Sequence, residues 1–293
     1  MEVSEELIKW VNSLSMGEKR FIRLLGTARA RAPESQRLDL LDWLEGTAIG
    51  ASIPVNASFS KNLPLVSDRL KDLILDGLHL LHKNSSVDAQ LRNALDETAL
   101  LFDKGLFEAA TRTLKRAKKL AAATSRYAIG IQLLEFERKI AVSKRPSTLA
   151  LQLNEIRAEE QGLMTQLASL QELHGLHELA RIHEREIARA RNTELTKQVA
   201  DLASRPIVAQ SLQSGQYLER ALGTNILGIH ELFQRQTSEA LSLYKTILEE
   251  WEFQPKWQVD QLPLLLSICN HFQFSCQHII GVKDKLVNSS PHC

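Results

Sequence analysis

Apolar residues recur along this chain at intervals of three and four, the spacing that lines one face of an α-helix. Leu7, Ile8, Val11 and Leu14 predict a short first helix. Ser15 is placed to cap a second helix, with Glu18 three residues on as its capping-box partner. Phe21, Ile22, Leu24 and Leu25 form the apolar side of that helix, and Pro33 ends any continuation. Leu38, Leu40, Leu41 and Leu44 mark a third helix, stopped at Gly46. Residues 46–64 are rich in Gly, Ser, Asn and Pro and predict a long loop. Residues 65–82 predict a fourth helix with Leu70, Leu73, Ile74, Leu78 and Leu81 inward.

From Ser86 the pattern becomes one of helical hairpins. Val87, Leu91, Leu95, Thr98, Leu101 and Phe102 share a face. Gly105 then supplies a turn, and Phe107, Ala110, Leu114 and Ala117 line a returning helix. Residues 125–142 predict another helix, ended by Pro146. Ser147 opens a long one to about 171, with Leu149, Leu153, Ile156, Leu163, Leu167 and Leu170 at coiled-coil-like spacing. Gly175 predicts a break, 176–191 and 194–204 two further helices, and Pro206 a boundary before the next helical stretch. Residues 217–251 repeat the hairpin pattern. Residues 258–287 read as a helical pair, lined by Leu264, Leu265, Ile268 and Phe272, then by His278, Ile279, Val282 and Leu286.

The Gly105-x-Phe107 turn with Ala110 and the Leu114–Ala117 pair resembles the second half of the tetratricopeptide repeat; Ala94 and Glu97-Thr98 depart from its first half. Leu227-Gly228, Ala240, Tyr244 and Pro255 match the family's complementary positions, with Arg235-Gln236 where its turn glycine belongs. Ala110 and Ala240 lie a few residues short of a whole number of repeats of about 34 residues. The resemblance implies an all-α fold: an irregular TPR-like α-solenoid of antiparallel hairpins over 84–293, following a helical N-terminal region, 1–83. The chain also resembles a group of uncharacterised helical-repeat proteins from Bacteroidota. These carry an EKR-aromatic motif (Glu18 to Phe21 here) ahead of a KGL-aromatic turn (Lys104 to Phe107 here). That resemblance brings no function with it.

Composition agrees with the helical reading. Gly (13) and Pro (8) are scarce among 293 residues, and Leu, Ala, Glu, Lys and Arg dominate. A net charge of +1 gives no global attraction to nucleic acid or an anionic membrane. Cys269, Cys276 and Cys293 form neither a disulfide framework nor a zinc spacing, and the first two are expected to be buried core thiols in a reducing cytosol. The N-terminus does not read as a signal peptide. The apolar run Leu262 to Cys269 is too short to span a bilayer, so a soluble, cytoplasmic protein is expected. The ending NSSPHC offers no polar capping helix. Either that end pairs with another chain or the sequence is truncated.

A solenoid implies an interaction scaffold, non-catalytic and without cofactor, holding a peptide or helix of another protein in a concave groove. Helical phase and fold analogy pick Asn93, Glu97, Asn225, Glu231 and Asn270 as groove-lining residues. Arg112, Lys115, Arg116 and Lys119 form a basic face that is read as solvated in preference to a site for an acidic partner or an RNA backbone. Residues 1–83 admit an alternative, a helix-turn-helix regulator reading DNA through 66–81. Asp68, Asp72 and Asp76 on that helix would repel phosphate. The pairs His79/His82 and His174/His177 have chelating spacing but lack further ligands, so no metal is expected. Glu155, Arg157, Glu159 and Glu160 read as the wet side of the long helix, and its Leu stripe as core in preference to a homodimer seam.

Overall fold

The computed structural model describes residues 3–28, 35–48, 53–54, 56–144, 147–190, 193–253 and 261–288, and their side chains except at 187–190, 193 and 278–288. The described residues are helical, with no strand among them. They divide into two compact units, Met1–Ser85 and Ser86–Cys293.

The first unit contains α1 (Glu5–Ser13), α2 (Met16–Ala28), α3 (Ser35–Leu44) and α4 (Leu63–His82). Leu7, Ile8, Val11 and Leu14 are all buried, as their spacing predicts. The capping box is present: the Ser15 N–H donates to Glu18 Oε2 at 2.7 Å, and the Glu18 N–H donates to Ser15 Oγ at 3.3 Å. Helices α2 and α3 both pack on α4, which buries Val66, Leu70, Leu73 and Ile74. Two inward expectations fail. Leu24 is 68% exposed, because Ile22 and Gly26 face the core and Leu24 lies on the far side of α2. Leu81 is 43% exposed, in the last turn of α4 beyond its buried stripe. Phe59, in the long loop, is buried and packs at a tilt against Trp43 with ring centroids 5.8 Å apart.

The second unit runs α5 (Val87–Asp103), α6 (Phe107–Ala123), α7 (Tyr127–Lys144), α8 (Leu149–Ala190), α9 (Thr193–Ala203), α10 (Pro206–Leu212), α11 (Tyr217–Phe233), α12 (Thr237–Glu252) and α13 (Leu262–Asn288). Helices pack in neighbouring pairs: α5 on α6, α6 on α7, α7 on α8, α11 on α12 and α12 on α13. Second-neighbour contacts join α5 to α7 and α11 to α13, while α8 reaches past α9 and α10 to pack on α11.

The hairpin turns share one geometry. After α5, Gly105 takes φ +71°, and the Leu106 N–H returns to the Leu101 carbonyl at 2.9 Å. After α6 and α11 the same left-handed position falls to Ser125 (φ +53°) and Arg235 (φ +62°). The Arg126 N–H then bonds the Ala121 carbonyl at 2.9 Å, and the Gln236 N–H bonds the Glu231 carbonyl at 2.8 Å. These are the six-to-one bonds of a Schellman ending. The missing glycine at 235 therefore changes the strain in the turn but not its path.

At Gly228 the backbone of α11 lies directly against the Tyr244 ring of α12, where a Cβ would come within 2.7 Å of Cε1 and closer still to Cζ. Tyr244 is fully buried, and Phe107 is half-buried with its ring 5.6 Å from that of Phe102.

Three expectations are corrected. Helix α8 is continuous for 42 residues, about 63 Å at 1.5 Å per residue, and passes through Gly175. Helix α13 is one helix of 27 residues, not a pair. Cys269 and Cys276 are only half-buried, because α13 turns Leu264, Ser267, Ile268, His271 and Ser275 inward instead. Pro255 and residues 289–293, which include Cys293 and all of the NSSPHC ending after Asn288, lie outside the described residues. The Leu stripe of α8 is core where α8 meets α7: Ile156 and Leu170 are buried, and Leu163 lies 3.0 Å from where a Cβ on Gly130 would stand.

Candidate functional site

Polar groups converge where α8, α11 and α13 meet. His177 and Glu184 stand two turns apart on α8; Ser267 and His271 stand one turn apart on α13. Asn225 of α11 lies between them and is completely buried. Its amide donates to His177 Nε2 at 2.9 Å and to Ser267 Oγ at 3.2 Å. Its Oδ1 faces His271 Nδ1 at 3.0 Å, and His271 Nε2 faces Glu184 Oε1 at 2.5 Å. Burial, reinforced by the nearby Arg181 charge, pushes the His177 pKa down to about 4, so this ring is neutral at pH 7.

Two proton arrangements satisfy this cluster. In one, His271 donates from both nitrogens, to Asn225 Oδ1 and to the Glu184 carboxylate. In the other, the Asn225 amide is reversed. It then donates to a neutral His271, while its oxygen accepts from Ser267 and His177. In either arrangement both nitrogens of His271 are engaged, and Ser267 touches the amide, not an imidazole. No nucleophile stands beside a free base here. Tyr244 borders the cluster, its ring 5.5 Å from that of His271, and burial raises its hydroxyl pKa well above the usual phenol value.

Above the cluster opens a cleft of about 450 Å³. Its polar side is Arg181, Glu184 and Arg185 of α8 with Ser267, Asn270 and His271 of α13. Its apolar side is Ile229, Leu232 and Phe233 of α11 with Phe274 of α13, the last 55% exposed.

Of the residues expected to line a groove, Asn270 does line this cleft and is exposed. Asn225 does not face solvent: it is a buried cluster member, because α11 is enclosed on nearly every side. Glu231 is half-buried, 3.4 Å from His230 Nδ1. Asn93 and Glu97 bond each other along α5 at 3.0 Å and belong to a separate surface. Arg112, Lys115, Arg116 and Lys119 are all exposed along α6, opposite the buried Thr113, Leu114 and Ala117. Lys118, outside that set, bridges Glu137 at 2.6 Å and Glu159 at 2.8 Å.

Sequence reasoning missed Arg181, Glu184 and His271, and weighed His177 only as half of a metal pair. The available signals were a lone Asn inside the apolar run of α11 and the i, i+4 series Ser267, His271, Ser275. His82 of the other histidine pair faces Glu18 at 2.8 Å. Among the described residues no three His, Cys, Asp or Glu side chains gather to hold a metal, and no helix is long and apolar enough to cross a membrane.

Compared with protein-family models, curated proteins and solved structures, the chain matches none.

Proposed function

We propose that residues 86–288 form an irregular, TPR-like solenoid whose role is to bind a segment of another protein without catalysing a reaction on it, and that the segment docks in the α8–α11–α13 cleft. The second-neighbour packing of α5 on α7 and of α11 on α13 supports the solenoid reading, since stacked hairpins bring their first helices side by side. The observation that carries the binding reading is the cleft itself: an apolar wall, exposed at Phe274, facing a polar floor in which Glu184, His271 and Asn225 are already hydrogen-bonded to one another. A partner side chain can bury apolar area there without breaking those bonds. The engaged state of both His271 nitrogens supports a non-catalytic role.

The test is selection of a library of short linear peptides on the full chain and on Asn270→Trp, which fills the cleft from an exposed position. Peptides enriched on the native chain and lost on the variant support the reading. No enrichment, or equal binding to both proteins, removes it.

A further inference from the structure

We infer that the cleft selects an acidic segment, one in which an Asp or Glu carboxylate lies next to a bulky apolar side chain. This inference rests on the cleft being the docking site. The lining carries two guanidinium groups, Arg181 and Arg185, against one carboxylate, Glu184. Glu184 is already held by His271 at 2.5 Å. The Arg181 Nε is 4.0 Å from the other Glu184 oxygen, beyond hydrogen-bonding distance, and is buried without an acceptor among the described residues. Arg185, one helical turn further, is exposed and makes no ion pair among the described residues. Among the described residues of α11 and α13 that line the cleft, none is a carboxylate.

The donors therefore exceed the acceptors. Two guanidinium groups one turn apart on a single helix face attract a carboxylate, and a charged hydrogen bond there is stronger than a neutral pair makes. A basic segment would set its charge against Arg181 and Arg185 while finding Glu184 occupied. A neutral apolar segment would cover Phe274 but bring no charge to meet the guanidinium groups of Arg181 and Arg185. The charge favours the acidic segment, and the Phe233–Phe274 wall adds a demand for a neighbouring apolar side chain.

The test is fluorescence anisotropy on the full chain with labelled peptides of one length, sharing a Phe-Leu centre and flanked by Glu, Gln or Lys. The Glu peptide should bind about ten-fold tighter than the Gln peptide, and the difference should shrink with added salt. Arg185→Gln, at an exposed position, should weaken the Glu peptide about ten-fold and leave the Gln peptide unchanged. Arg181→Glu with Arg185→Glu should turn the preference toward Lys.

Equal binding of Glu and Gln peptides, selectivity that survives Arg185→Gln, or no binding by any peptide overturns the inference. Should the library yield neutral peptides that are lost on Asn270→Trp, the cleft remains the docking site and only its acid selectivity falls.

Discussion

Asn225 shows how one buried amide can join three helices. Its contacts reach His177 on α8 and both Ser267 and His271 on α13, and every one of these partners is buried. Replacing it with Ala would leave several buried groups unpaired, each costing about 1–3 kcal/mol. Partial relaxation makes a loss of about 3 kcal/mol in urea unfolding the expected result for Asn225→Ala. His177 adds a pH dependence. Its pKa is lowered from 6.5 to about 4 in the folded protein, mainly by burial. The unfolded chain therefore binds the proton more readily between those values. The stabilisation is complete above pH 6.5 and is lost as pH falls toward 4, by about 3 kcal/mol at most. His177→Gln, which can accept the same Asn225 bond but does not titrate, should flatten that part of the stability profile. An unchanged slope would show that other groups carry it.

At the level of the helix, local signals were read well and long-range ones poorly. The Ser15–Glu18 box involves residues three apart and is complete within one turn, so sequence alone located it. The close approach at Gly228 was legible only in part: the repeat resemblance matched Gly228 and Tyr244 separately and did not pair them. Gly228→Ala should force the Tyr244 ring aside at a cost of about 1–3 kcal/mol, seen as a lower melting temperature. The continuity of α8 was not legible. Gly175 costs a helix only about 1 kcal/mol, and Leu170, Leu173 and Ala180, buried on either side of it, outweigh that cost through tertiary contacts invisible in the local pattern. Asn225 was misplaced for a related reason. Phase arguments assume that a helix has a wet face, whereas on α11 residues 221–226 are all buried. The α11–α12 turn offers the opposite case, a local strain that tertiary structure tolerates. Arg235 holds φ +62° as an exposed residue, so Arg235→Gly should raise stability by about 1 kcal/mol in thermal or urea unfolding.

Across the whole molecule, the division at Ser85/Ser86 coincides with a division of the hydrophobic core. The buried apolar cluster of the first unit draws on residues 3–74, whereas those of the second draw on residues 87–268. Each unit also begins on its own helix cap: Ser4 accepts the Leu7 N–H at 3.2 Å, and Ser86 accepts the Ala89 N–H at 3.0 Å. Units with separate cores can unfold separately. Their acid responses should then separate as well. In the first unit Glu18 is held at a pKa of about 2, chiefly by the Ser15 N–H and then by His82. Its stabilisation is present above pH 4.5 and disappears as pH falls toward 2, below the window in which His177 weakens the second unit. Fragments 1–85 and 86–293, expressed apart, should each give a helical circular dichroism spectrum and a cooperative melt. The melt of 86–293 should shift between pH 6.5 and 4, and that of 1–85 mainly below 4.5. If neither fragment folds alone, or both shift over one common range, the two cores act as a single cooperative unit and the division is geometric only.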